Sequence, residues 1–355
     1  MTVHLHSISR ALPPYRLDQA DVRERAAAIF GPRYRHFDRL SAAFDTAGIQ
    51  ERYSVVPLDW FSQDHGWADR SKAFMAGASA LFVDAARQAL DEAGWTADQV
   101  DCVVTVCSTG IATPSLEAQA FGRMGFRTDI MRVPLFGLGC AGGVSGLSIA
   151  RNLAAATSGS KVLLVVVETC SLSFRADRLQ KADIIAAVLF GDGAAAVCLS
   201  DEASEGAVPV TLAAGSQEIF PDTLDIMGWD VDETGLGVVF DRSIPAFVTA
   251  EFAGATQNAL TAAGLTHADV DRYVCHPGGA KVVEAIEGAL DLGAETLDAE
   301  RDVLRSYGNM SAPTVLFVLK SVIESGARGQ MLACALGPGF TASFIPVHIG
   351  GEGAA

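Results

Sequence analysis

The 355-residue sequence predicts an α/β protein built from two related halves. A helix–turn–strand segment occurs twice at a constant offset. A Gly-x-Gly turn followed by an apolar strand closes each half. Between them, strand-length apolar runs alternate with small-residue helices, the pattern of parallel strands joined by helical crossovers.

The first copy of the repeat is Ala85–Asp101 and the second is Ala255–Asp271; eight of the seventeen positions are identical. Each copy reads as an amphipathic helix ended by a glycine, Gly94 or Gly264, in the C′ position. A threonine-led turn follows, then a short apolar strand: Cys102–Val106 in the first half, Arg272–Cys275 in the second. Both strands run into small-residue loops, Ser108-Thr109-Gly110 and Pro277-Gly278-Gly279. The closing echo is Leu189–Ala196 against Ala335–Ala342, each leading into a strand, Val197–Ser200 or Ser343–Val347. The polar turn Asp201–Gly206 marks the junction, so the halves are expected at 1–210 and 211–355.

Composition narrows the function. Half of the residues are hydrophobic, enough for a large core, and the net charge of −16 argues against a nucleic-acid partner, which needs a positive field. Met1–Gln19 lacks the basic segment and apolar core of a signal peptide, and apolar runs such as Lys161–Val167 are far shorter than a membrane span. Seven cysteines, an odd number with no Cys-x-x-Cys pair, fit a reduced cytoplasmic protein. The seven histidines form no metal-ligand pattern, so no metal site is expected.

Three residues stand out as chemistry. Cys140 lies in Gly137-Leu138-Gly139-Cys140-Ala141-Gly142-Gly143 and opens the helix Val144–Ala150. Glycines permit a sharp turn and close substrate approach, and a helix N-terminus favours a thiolate. His276 ends the second-half strand before Pro277-Gly278-Gly279, a place from which a side chain points into a crevice. Asn309 lies in Ser306–Thr314, ahead of a helix expected over Thr314–Ser325 with Ser311 as its N-cap and Pro313 in the first turn. A thiolate can hold an acyl group, and neutral His and Asn donors can stabilise an enolate formed when a malonyl thioester loses CO₂. A carboxylate base would repel such a substrate, and no Asp or Glu lies within a few residues of the three. Taken singly, each residue also fits a bland role: a buried structural cysteine, a loop histidine, a turn asparagine.

Together these motifs resemble the type III polyketide synthases, the chalcone-synthase-like branch of the thiolase superfamily. The resemblance rests on Gly137–Gly143, Leu189–Ala196, His276–Gly279, Gly308–Ser311 with Pro313, and Gly337-Pro338-Gly339, which span most of the chain in order. It implies a thiolase-like fold, with duplicated βα halves in a layered α-β-α-β-α core, and a homodimer. It implies that Cys140 accepts the acyl group, that His276 pairs with Cys140 and keeps it ionised, and that His276 and Asn309 hold the thioester carbonyl during decarboxylation. Phe190 falls at the family's gatekeeper phenylalanine. Val238, in Gly235–Phe240, falls where a second gate aromatic would stand, and Cys170, Ser173 and Ser311 fall at cavity-lining positions. For coenzyme A, the resemblance offers Arg39, and Lys281, after Gly278-Gly279-Ala280, is placed to reach a phosphate as well. No cofactor is implied beyond the coenzyme A thioesters, acyl-CoA and malonyl-CoA, that serve as substrates.

The stretches Ser108–Leu116 and Phe136–Val144 are similar to bacterial synthases of alkylpyrones and alkylresorcinols, which use fatty acyl starters. An apolar side tunnel bordered by small residues such as Cys170 would then be needed. Two other readings stay open: an initiating ketoacyl-ACP synthase, which performs one condensation, and a Cys-His-Asn hydrolase, which consumes no malonyl group.

Overall fold

The computed structural model describes residues 2–203 and 208–350. Of the polar turn at the junction, residues 204–206 lie outside the described residues.

The repeated segments form the same local structure twice. Helices Trp67–Ala93 and Ile244–Ala262 are each followed by a glycine in the left-handed region, Gly94 at φ 68° and Gly264 at φ 71°. The next residue then closes back onto the helix: Trp95 N–H donates to Leu90 O at 2.9 Å, and Leu265 N–H to Leu260 O at 2.8 Å. The turn after each is a 3₁₀ segment, Ala97–Gln99 or His267–Asp269, held by a capping box from Thr96 or Thr266.

Among the described residues, ten strands form one sheet. Its order runs Arg272–Cys275, Gly329–Gly337, Thr341–Ile349, Val210–Leu212, Val3–Ala11, Asp192–Ser200, Val162–Thr169, Cys102–Val106, Met131–Leu135, with Ser216–Ile219 paired beside Thr341–Ile349. The duplication is visible in the pairing. Cys102–Val106 and Val162–Thr169 are parallel, then Asp192–Ser200 and Val3–Ala11 follow antiparallel. The second half repeats that series with Arg272–Cys275, Gly329–Gly337, Thr341–Ile349 and Val210–Leu212. The expected parallel sheets are thus corrected to a mixed sheet: the Gly-x-Gly turns return the chain antiparallel, and only the strands joined by helices run parallel. The expected boundary at 210 and 211 falls inside Val210–Leu212, which pairs with Val3–Ala11 of the other half.

Helices divide the core into layers. Helix Gly142–Ala156 contributes Val144, Leu147, Ala150 and Ala154, and helix Thr314–Glu324 contributes Val315 to Leu319 and Val322, to one cluster with strands of both halves. The first six residues of the latter helix, Thr314–Leu319, are all buried, which places this part of it in the middle of the protein. The long helix Trp67–Ala93 covers the outer face of the first half, and Ile244–Ala262 covers that of the second. This is the α-β-α-β-α layering of the thiolase-like fold. A separate group, helices Gln19–Phe30, Phe37–Thr46 and Lys181–Leu189 with the ribbon Tyr15–Asp18/Glu51–Ser54, packs against the site end. No helix of the described residues is long and apolar enough to cross a membrane.

Candidate active site

Cys140 sits in the 3₁₀ turn Gly139–Ala141 that feeds directly into helix Gly142–Ala156. The turn requires glycine. Gly139 has φ +48°, and a Cβ there would stand 2.6 Å from Pro338 Cδ; one at Gly143 would stand 2.2 Å from Ala312 O. The Ser108 hydroxyl accepts from Gly137 N–H at 3.1 Å and Gly139 N–H at 3.2 Å, which fixes the approach to the turn.

His276 follows the last residue of its strand, and its N–H donates to Cys334 O at 2.9 Å. The side chain is buried, yet neither ring nitrogen has a hydrogen-bond partner. Buried polar groups are ordinarily paired, so an imidazole left open at both nitrogens is set to receive a ligand. Asn309 is held at both ends of its amide: Nδ2 donates to Gly278 O at 3.0 Å, and Oδ1 accepts from Ser311 N–H at 2.8 Å. That arrangement fixes the amide orientation and leaves one Nδ2 proton uncommitted. Its main chain is paired with the other half, Asn309 N–H to Leu189 O at 2.8 Å and Gly191 N–H to Asn309 O at 3.0 Å.

Cys140, His276 and Asn309 line one tight hollow of about 20 Å³, walled by Met227, Phe240 and Leu336. Cys140 also borders a larger cavity of about 350 Å³, lined by Cys170, Phe190, Trp229, Val238, Phe240 and Ser311 among others. Behind Cys170 and Phe190 runs a third, narrow space of about 50 Å³, lined chiefly by apolar residues including Leu17, Val22, Ile29, Phe61, Phe174 and Ala186. Phe190 and Cys170 therefore form the partition between the two spaces, and Ser173 lines only the narrow one.

Burial dominates the electrostatics of the hollow. Burial pushes the Cys140 thiol up to about 11, the Ser311 hydroxyl pulls the other way, and the Glu168 charge adds to the rise. Burial also pulls the His276 imidazole down to about 3. No Cys140–His276 hydrogen bond is formed in the unliganded site. Burial disfavours the charged form of each group taken alone.

The other expected residues fall as follows. Ser311 is not the N-cap: the helix starts at Thr314 after Pro313, and Ser311 has φ +61° with its main-chain N–H given to Asn309. Arg39 and Lys281 are exposed, outside the cavities, on helices Phe37–Thr46 and Ala280–Ala289. Gly48, two residues past the first of these helices, approaches the start of the second: a Cβ there would stand 3.7 Å from Ala280 Cβ.

Three residues near Cys140 escape motif reading. Glu168 is fully buried at the end of the strand Val162–Thr169 and accepts from Ser108 N–H and from Thr109 Oγ1, the latter at 2.7 Å. Burial raises its carboxyl to about 8. The signal was a lone carboxylate in an otherwise apolar strand, far from Cys140 in sequence. Trp229 and Phe240 sit on the hairpin Met227–Val231/Leu236–Phe240 that covers the larger cavity, and the Trp229 indole donates to Ser108 O at 2.7 Å. Phe240, two residues along the strand from Val238, places an aromatic wall where Val238 supplies none.

The chain matches the chalcone and stilbene synthase N-terminal domain over residues 62–203 and the C-terminal domain of the same synthases over 211–348. It is 36% identical over 96% of its length to a 1,3,6,8-tetrahydroxynaphthalene synthase of Streptomyces peucetius subsp. caesius, 91% of which is covered. It is 27% identical over 95% of its length to the alpha-pyrone synthesis polyketide synthase-like Pks18 of Mycobacterium tuberculosis, 88% of which is covered. Among solved structures it superposes on the 1,3,6,8-tetrahydroxynaphthalene synthase of Streptomyces coelicolor A3(2), a bacterial type III polyketide synthase. That match has a TM-score of 0.92 and 26% identity, and covers 98% of this chain and 100% of the other.

Proposed function

Because the chain belongs to the chalcone and stilbene synthase family and is a type III polyketide synthase, we propose that it loads a fatty acyl starter from coenzyme A onto Cys140, extends it with malonyl-CoA and closes it to an alkylpyrone or alkylresorcinol. The observation that carries the fatty acyl starter is the narrow apolar space behind Phe190 and Cys170, which shares those two side chains as a wall with the cavity beside Cys140. Similarity to an alpha-pyrone-synthesis relative points the same way.

The chemistry follows from the site. The Cys140 proton passes to His276 as sulfur attacks the thioester carbonyl and coenzyme A leaves as its thiol. Each group resists charge alone, so the pair charges together when substrate displaces what remains of solvent. The carbonyl oxygen of malonyl-CoA then takes donors from His276 and from the free Nδ2 proton of Asn309. Loss of CO₂ leaves an enolate whose oxygen these donors stabilise, and its carbon attacks the Cys140 thioester, releasing the sulfur for the next transfer. Phe190 gates the tail space. Cys170, Ser311 and Val238 shape the cavity and Ser173 the narrow space, while the exposed Arg39 and Lys281 meet coenzyme A phosphates.

A homodimer accords with the cavity mouth, where Ile111, Phe136 and Val231 stand 59%, 59% and 62% exposed. Such a patch is the kind a second copy covers. A second reading is favoured by the 36% identical relative: a product without an alkyl tail, of the tetrahydroxynaphthalene kind. Incubation with acyl-CoAs from C2 to C20 and malonyl-CoA, with mass spectrometry of products, decides between them. Tailed pyrones or resorcinols are expected. A tail-free product from malonyl-CoA, with no acyl chain incorporated at any length, contradicts the first reading.

A further inference from the structure

Arg52 lies on the short strand Glu51–Ser54 and is fully buried, with no carboxylate on its guanidinium. Its partners are main-chain carbonyls at the end of helix Lys181–Leu189. Nη1 donates to Ala187 O at 2.8 Å and to Phe190 O at 3.1 Å, and Nη2 donates to Val188 O at 2.7 Å. Nη2 also donates to Gln19 Oε1, and the Gln19 amide turns back to the same Val188 O at 3.2 Å. A cation at a helix C-terminus meets the negative end of the dipole and the carbonyls the helix leaves unpaired. A planar fork reaches three such carbonyls at once, which a lysine ammonium cannot. Burial draws the Arg52 pKa down to about 9, and the Asp192 carboxylate opposes that fall.

The carbonyls Arg52 grips lie next to the site. Phe190 is the partition between cavity and tail space, and Leu189 O accepts from Asn309 N–H at 2.8 Å. The arginine stem fills the space between the two chains: a Cβ on Gly191 would stand 3.2 Å from Arg52 Cβ, and one on Gly308 would stand 3.3 Å from it. Arg52 therefore touches both flanks of the crossing at which the first half's Phe190 turn pairs with the second half's Asn309 loop.

We propose that Arg52 is a positioning residue for condensation: by fixing the carbonyls of residues 187, 188 and 190 it holds the Asn309 carboxamide in line for the malonyl thioester. The assignment rests on the reading of Asn309 given above, so the test separates the two. Arg52→Lys, Asn309→Ala and the double variant are compared for CO₂ release from malonyl-CoA and for loading of Cys140 from acetyl-CoA, whose acyl group is too short to reach the tail space that Arg52 borders, with thermal unfolding in parallel. Arg52→Lys lowers kcat for decarboxylation about tenfold, with loading and KM changed less than about twofold. In the Asn309→Ala background the same substitution adds less than about a further twofold, because both act through one group.

Equal losses of loading and decarboxylation, or losses that multiply in the double variant, overturn the proposal. Asn309→Ala with unchanged decarboxylation instead refutes the role of Asn309 and this assignment with it. Should Arg52→Lys not fold, Gln19→Leu carries the same comparison, since it removes the amide shared by Arg52 and Val188 O. Decarboxylation then falls more than about threefold relative to loading, and an equal fall in both overturns the proposal.

Discussion

Filling the tail space tests its use directly. Ala186 is buried on helix Lys181–Leu189 and lines the narrow space of about 50 Å³. At roughly 10–15 Å³ for each water-sized group, that space holds about four such groups. Ala186→Leu adds three carbons to the same wall, so about one position remains. Each buried methylene contributes about 0.8 kcal/mol, and three lost methylenes amount to about 2.4 kcal/mol. That corresponds to about a 60-fold loss in kcat/KM for a starter whose tail fills the space. Acetyl-CoA does not pass Phe190, so its kcat/KM stays within about twofold. The assay is kcat/KM for Cys140 loading across a series from acetyl-CoA to dodecanoyl-CoA. Overpacking alone costs about 1–3 kcal/mol of stability, which unfolding of the variant measures separately. A uniform loss at every chain length, or none at dodecanoyl, would refute the assignment of this space to the acyl tail.

Two further substitutions report on charge. His276 is buried neutral, with its pKa drawn down to about 3 from an ordinary 6.5. Between those values the unfolded chain binds a proton that the folded one does not, so stability falls as pH falls from 6.5 towards 3. His276→Gln removes that slope, up to about 1.4 kcal/mol per pH unit, in denaturant titrations of the two proteins at pH 6.5 and 4.5; parallel curves would contradict a buried neutral imidazole. Glu168 titrates near 8, and its charge raises the Cys140 pKa. Glu168→Gln should therefore speed iodoacetamide alkylation of Cys140 at pH 9 and change it little at pH 6.5, where the carboxyl is already protonated. Equal acceleration at both pH values would show an effect of packing, not of charge.

Much of the fold was legible because the duplication repeats local chemistry: glycine caps at 94 and 264 and capping boxes at Thr96 and Thr266 impose the same turn twice. The strand directions were not, since a Gly-x-Gly turn does not itself tell a hairpin return from a crossover. Cys140, His276 and Asn309 were legible through glycine-rich contexts that only close backbone approach demands, and the structure gathers all three at one hollow. Ser311 misled because serine before a helix is an ordinary cap, whereas here the left-handed backbone turns it toward Cys140. Arg52 and Glu168 were hidden for a different reason. Each acts on residues far away in sequence, Arg52 on the turn at 187–190 and Glu168 on the loop at 108–109, and no local spacing encodes such contacts.

Intact-protein and peptide mass spectrometry after exposure to acyl-CoA reads the central event most directly. One acyl mass should appear on the peptide bearing Cys140, vanish in Cys140→Ala, and persist in Asn309→Ala while that variant loses CO₂ release from malonyl-CoA. An acyl group that still attaches to Cys140→Ala, or that maps to another cysteine, would contradict the account.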